Sequence, residues 1–85
     1  MCNSFMIALG ENIKKIRKEK KLTQEKLSLE AMVSRSHIAM IETGKRDVTV
    51  STLFKLSRAM NISLKEIFSF DDINKYLFDI EEFYK

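Results

Sequence analysis

An all-α fold is predicted by three features of the 85-residue chain. It contains no proline and two glycines, too few turn formers for a multi-stranded β domain. Apolar residues recur at spacings of three and four along most of its length, the period of a helix with one buried face. Ser, Thr or Asp stands ahead of most of these segments, where a helix needs a side-chain acceptor for its first N–H groups. Five helices over residues 1–70 and an additional amphipathic C-terminal helix over 71–85 follow.

Leu9, Ile13 and Ile16, with lysines between them, give a first helix from about Ser4 or Phe5 to Lys20. Thr23 caps a second helix running to about Ala31, with Leu27 and Ala31 inward. Ser34 caps a third from Arg35 to Thr43, burying Ile38 and Ile41. Gly44 stops it, because the left-handed conformation at a helix end is easiest for glycine. Thr49 caps a fourth, with Leu53, Leu56 and Met60 inward. Ser63-Leu64-Lys65-Glu66 is a capping-box pattern opening a short fifth helix through Phe68. The sixth is read from Ile73, Leu77, Ile80 and Tyr84, with Asp71 or Asp72 as its cap. It also carries Tyr76, Phe78 and Phe83, more apolar surface than one small domain covers easily.

Composition narrows the function. Hydrophobic residues make up 45% and charged residues 32%, the balance of a globular domain and not of a disordered tail. A domain of this size buries only about 60% of its unfolded surface, so pairing with a second copy is a natural way to extend the core. One cysteine, Cys2, cannot make an internal disulfide, which suits a reducing compartment. Cys2 and His37 cannot furnish an ordinary zinc site, and no metal or cofactor is expected. No apolar run reaches the length of a membrane span, and residues 2–10 lack the pattern of a signal peptide. The expected location is cytoplasmic, without membrane contact.

Charge is unevenly placed. Residues 1–70 hold 13 Lys/Arg against 7 Asp/Glu, whereas residues 71–85 hold 2 Lys against 5 Asp/Glu. The densest basic run is Lys14, Lys15, Arg17, Lys18, Lys20 and Lys21, with Lys45-Arg46 a second cluster. A basic body suits a polyanion, and the acidic end should stay away from it. A solvated helix face is the plainer reading of such a run.

The ordered series Leu22-Thr23-Gln24-Glu25-Lys26-Leu27, Val33-Ser34-Arg35-Ser36-His37-Ile38 and Ile41-Glu42-Thr43-Gly44-Lys45-Arg46 resembles the helix-turn-helix of the lambda-repressor-like, or Xre, family. The likeness runs from Ile13 to Phe68. Size, basic body and short helical extension are also similar to the controller proteins of restriction–modification systems. The resemblance implies a five-helix lambda-repressor-like DNA-binding domain (residues 1–70) whose third helix enters the major groove of double-stranded DNA, its first residues meeting base edges.

Carried over position by position, it implies base contacts from Arg35, Ser36, His37 and Met40. Arg35 can donate two hydrogen bonds to guanine, a pairing worth about 1–3 kcal/mol of discrimination. Met40 occupies a place where many relatives have a polar residue, and its side chain can pack on a thymine methyl. DNA-backbone contacts fall to Gln24, Ser34, Thr43, Lys45 and Arg46, with Ser34 first of all a cap. Each of these has a plainer alternative as cap or solvated charge. Glu42 is acidic where the helix approaches DNA. The resemblance resolves this with an ion pair to Arg17, a structural contact. Lys21 and Met32 stand where relatives often have glycine, at a cost of about 1 kcal/mol or less each if the backbone is left-handed there. Val48 replaces a proline.

Catalysis is not expected. Cys2 and His37 have no third group to orient them, no Gly-rich phosphate loop is present, and Asp71-Asp72 and Glu81-Glu82 read as caps and solvated charge. The leading function is a sequence-specific transcriptional regulator acting as a homodimer on a (pseudo)palindromic operator and acting on its own expression. The expected dimer interface is Ile62, Leu64, Ile67, Phe68, Phe70, Ile73, Leu77 and Ile80. Residues 71–85 serve dimerisation or partner contact, and folding back to complete the monomer core is the equal alternative for them. The rival function is an antitoxin or protein-interaction module whose C-terminal helix binds a partner protein. Single-stranded RNA is disfavoured because the exposed motif residues offer no aromatic platform. Glu25 and Glu30 on the second helix offer a contact for RNA polymerase, with solvated charge as the default. No small-molecule ligand is expected.

Overall fold

A computed structural model describes residues 4–70. These form five helices: α1 (Ser4–Glu19), α2 (Gln24–Ala31), α3 (Arg35–Glu42), α4 (Val50–Ala59) and α5 (Leu64–Ile67). No strand occurs among the described residues. The expected sixth helix lies outside them, and so do Cys2, Ile73, Leu77 and Ile80.

Each helix from α2 to α5 starts where its cap does. The side-chain oxygens of Thr23, Ser34, Thr49 and Ser63 accept from the backbone N–H groups of Lys26, His37, Thr52 and Glu66. At α5 the box closes, since the Ser63 N–H donates to the Glu66 carboxylate. Such caps contribute about 1 kcal/mol apiece. That is a large share for helices of four to ten residues, which are too short to persist in water unaided.

The core gathers one face from every helix. Leu9 and Ile13 of α1, Leu27 of α2, Ile38 and Ile41 of α3, Leu53 and Leu56 of α4, Met60 and Ile67 are buried together. α1 packs on α3 and α5, α2 on α3 and α4, and α4 on α5. A polar bolt fastens α1 to α5: the buried Asn12 amide donates to the carbonyls of Ile67 (2.7 Å) and Glu66 (3.3 Å).

Four helices end in the same way. A residue with positive φ follows each: Lys21 (59°), Met32 (57°), Gly44 (72°) and Asn61 (57°). The N–H of the next residue then reaches back five positions, from Leu22 to Arg17, Val33 to Ser28, Lys45 to Met40, and Ile62 to Ser57. This satisfies carbonyls that a bare helix end would leave open. Lys21 and Met32 thus do adopt the left-handed conformation that glycine would take without cost.

Gly44 is held to its identity by space as well as by φ. A Cβ there would stand 2.7 Å from the Cα of Ile7 and 2.9 Å from its backbone nitrogen. Helix α3 itself finishes one residue before the expected Thr43, which becomes the cap and leaves Gly44 just beyond it.

Candidate nucleic-acid interface

The geometry of the site is set by how α3 is fixed at one end and open at the other. Ile38 and Ile41 anchor its inner face, each at most 1% exposed. Where α3 passes α1, Gly10 allows backbone to meet backbone. A Cβ on Gly10 would fall within the radius of the Ile41 carbonyl oxygen and 3.0 Å from Glu42 backbone atoms.

Beside this contact sits a buried network. The Arg17 guanidinium meets the Glu42 carboxylate through two bonds, Nε–Oε2 at 2.7 Å and Nη2–Oε1 at 3.1 Å. Arg17 Nη1 also donates to the carbonyl of Leu22, and Gln24 Nε2 donates to Glu42 Oε1. Four segments are thereby joined: α1, the turn after it, the start of α2 and the end of α3. Among the described residues, every buried side-chain nitrogen or oxygen has a partner. A planar fork matched to a carboxylate fixes direction as well as distance. The charge of Glu42 is neutralised before it can meet a polyanion.

The open end is the N-terminal turn of α3. Arg35 and Ser36 are exposed, His37 is half-buried, and Met40, one turn on, is 42% exposed. All four expected base-contact residues therefore share the outer side of α3, with His37 the least accessible. Lys45 and Arg46 follow directly and are exposed. They add positive charge at the end of α3, where the Glu42 carboxylate is already offset by Arg17.

The remaining expected contacts are more engaged than the sequence suggests. The Ser34 oxygen accepts from His37 N–H, which leaves its own hydroxyl proton able to reach a phosphate. The Thr43 hydroxyl instead donates to the carbonyls of Ala39 and Met40, so a phosphate bond from it requires its χ1 to turn. Gln24 commits one amide N–H to Glu42 and is half-buried. Its first role is to brace the network. The turn between α2 and α3 is locked by the Ser28 hydroxyl, which donates to the Val33 carbonyl at 2.6 Å.

The expected dimer face needs one correction. Ile67 is fully buried within its own chain, because α5 packs against both α1 and α4 and takes Ile67 as its anchor. It has no surface left for a partner. Phe68 is 36% exposed, while Ile62, Leu64 and Phe70 are half-buried. Phe70 tilts against Phe5 at 6.1 Å between ring centroids. Glu25 and Glu30 are exposed on α2. Among the described residues there is no cluster of three potential metal ligands, and no helix long and apolar enough to cross a membrane.

Sequence reasoning missed three supports of the site. Gly10 and Asn12 lie inside α1 on or beside its buried side. A glycine or an amide interrupting an apolar helix face was the available signal, because neither belongs there unless another backbone comes close. The role of Gln24 toward Glu42 had no such mark, since the two residues meet only in three dimensions.

Residues 13–67 match the family model described as Helix-turn-helix (HTH_3). The chain is 40% identical over 74 residues to the control protein C.MunI of Mycoplasma sp., covering 86% of this chain and 97% of that one. It is 32% identical to the control protein C.BamHI of Bacillus amyloliquefaciens, covering 86% and 91%. Among solved structures, the restriction–modification controller protein C.AhdI from Aeromonas hydrophila superposes with a TM-score of 0.73 at 30% identity, over 74% of this chain and 96% of that one.

Proposed function

Because the chain belongs to the Helix-turn-helix family, within which its relatives include restriction–modification control proteins, we propose that it is a homodimeric regulator that binds a (pseudo)palindromic operator in its own upstream DNA. At the coarser level it is a DNA-binding helix-turn-helix transcriptional regulator of the controller type. The observation that carries the finer reading is the asymmetry of α3. Its far end is bolted to α1 by Arg17, Glu42 and the Gly10 contact, and its near end presents Arg35 and Ser36 to solvent.

In this reading Arg35 donates to a guanine edge, Ser36 and His37 reach base or phosphate, and Met40 packs on a thymine methyl. Lys45, Arg46, the Ser34 hydroxyl and the N-terminus of α2 beside Gln24 meet phosphates, which fix register without reading sequence. One short helix reads few bases, so two joined copies are needed for a useful affinity. Their recognition helices then lie about 34–36 Å apart, one turn of DNA. Ile62, Leu64, Phe68 and Phe70 supply the described part of the dimer face, and Ile73, Leu77 and Ile80 extend it. Such a protein acts in the cytoplasm, where its DNA is.

The test is fluorescence anisotropy with upstream and random DNA at two salt concentrations, with Arg35→Ala beside the wild type. The reading expects preference for the upstream site, affinity falling with salt, and loss of that preference in Arg35→Ala. Equal binding to both DNAs would overturn it.

A further inference from the structure

One row of α1 faces the fixed end of α3. Ile7, Gly10, Lys14 and Arg17 follow one another at spacings of three, four and three, which sets them on one side of the helix. Three of the four touch that end. Ile7 backs onto Gly44, Gly10 meets the Ile41 carbonyl, and Arg17 holds Glu42. Lys14 stands between Gly10 and Arg17 in the same row and is exposed.

Its cation is uncommitted within the domain. The Glu42 carboxylate already accepts two bonds from Arg17 and one from Gln24. Among the described residues no ion pair engages Lys14, and Glu11, one turn earlier on α1, is no exception.

The surroundings of Lys14 follow from the network. Arg17, one turn further along α1, donates both to the Leu22 carbonyl and to Glu42. Gln24, the first residue of α2, also reaches Glu42. The N-terminus of α2 and the end of α3 therefore lie side by side, with Lys45 and Arg46 exposed just beyond. A DNA strand that lays a phosphate on the first N–H groups of α2 runs past the end of α3 and along the Lys14 edge of α1. Lys15, the next residue, is turned roughly 100° further round the helix, away from α3.

We propose that Lys14 is a DNA-backbone contact, its ammonium taking a phosphate of the strand that crosses the N-terminus of α2 and the end of α3. The proposal rests on the DNA-binding reading above and goes beyond it by giving α1 a direct part in binding. A phosphate contact reads no sequence and fixes register. On α1 it grips the backbone at the end where α3 is held by Arg17, Glu42 and Gly10. The basic run is then divided in its work: Lys14 meets DNA, and Lys15 is solvated charge.

The experiment measures binding of the full chain to an upstream duplex and a random duplex across a series of salt concentrations. The wild type is compared with Lys14→Ala, Lys14→Arg and Lys15→Ala. Each phosphate contact contributes about 0.9 to the slope of log K against log salt. Lys14→Ala should lose about that much on both duplexes and keep its preference between them. Lys14→Arg should restore the slope, and Lys15→Ala should keep the wild-type value. The slope counts phosphates and not folded chains, so a variant that only weakened the fold would not move it.

A wild-type slope in Lys14→Ala, or an equal loss in Lys15→Ala, would overturn the proposal. So would a loss of preference in Lys14→Ala, which would make Lys14 a reader of bases or a support of α3. Failure of the operator reading looks different. Equal binding of the wild type to both duplexes overturns that reading, while the slopes on random DNA still decide Lys14. Binding to neither duplex overturns both.

Discussion

The two ends of α3 are held by different kinds of force. At its C-terminal end a glycine-permitted backbone contact, a buried two-bonded ion pair and a second glycine against Ile7 leave one arrangement. At its N-terminal end there is a serine cap, a turn locked by Ser28, and a left-handed Met32. In the proposed reading, the end that meets DNA is aimed from the other end, about two helical turns away. Residues at the locked end should therefore govern whether α3 has a pose at all. Residues at the open end should govern only what that pose reads.

The largest effect should come from breaking the lock. Arg17→Ala leaves the Glu42 carboxylate buried without its cation, a loss of about 3–5 kcal/mol. Chemical denaturation should show most of the chain's stability gone, since a small domain has only about 5–15 kcal/mol to lose. The double variant Arg17→Met/Glu42→Leu should recover a good part of it, because a neutral pair of similar bulk leaves no buried charge behind. Equal loss in the single and double variants would show that the network's value lies in the Leu22 and Gln24 bonds instead.

Next come the two glycines at the same end. Gly10→Ala drives a methyl against the Ile41 carbonyl and should cost about 1–3 kcal/mol, despite the better helix propensity of alanine. Gly44→Ala combines a clash with Ile7 backbone and a left-handed alanine, for a loss of similar size. Thermal melts of both, beside Lys21→Gly at a left-handed site that already carries a side chain, separate the clash from the conformational term.

At the open end the prediction reverses in kind. Arg35→Ala should leave the unfolding free energy within about 0.5 kcal/mol of the wild type, as a surface change does. Its discrimination between operator and random DNA should fall by about 1–3 kcal/mol. A variant that lost stability instead would show that Arg35 supports the fold and does not read DNA.

This contrast explains what could be read in advance. Caps and core were legible because they are local: Thr23, Ser34, Thr49 and Ser63 each act within three residues, and the spacing of Leu53, Leu56 and Met60 marks a face by itself. The Arg17–Glu42 pair came from family resemblance, since no rule of spacing connects residues 25 positions apart. Ile67 was misassigned to a partner because the sequence shows only that a face is apolar. Whether the face is covered from within or without depends on where α1 and α4 close around α5. Gln24 and Thr43 show the same limit for polar groups, whose partners are fixed only when helices meet.

The smallest prediction is the most discriminating between the two ends. Met32 is left-handed at 57° and 85% exposed, so its replacement loses almost no packing. Met32→Gly removes the steric penalty of a side chain at positive φ, about 1 kcal/mol, and regains some cost through the greater freedom of the unfolded chain. A net gain of a few tenths of a kcal/mol should result. Its effect on DNA binding tells more. If the pose of Arg35 is dictated by the far end, relief of the turn should leave operator preference unchanged. If the strained turn itself helps to aim α3, Met32→Gly should be more stable and yet less selective. Binding and melting measured on the same variant decide which end sets the aim.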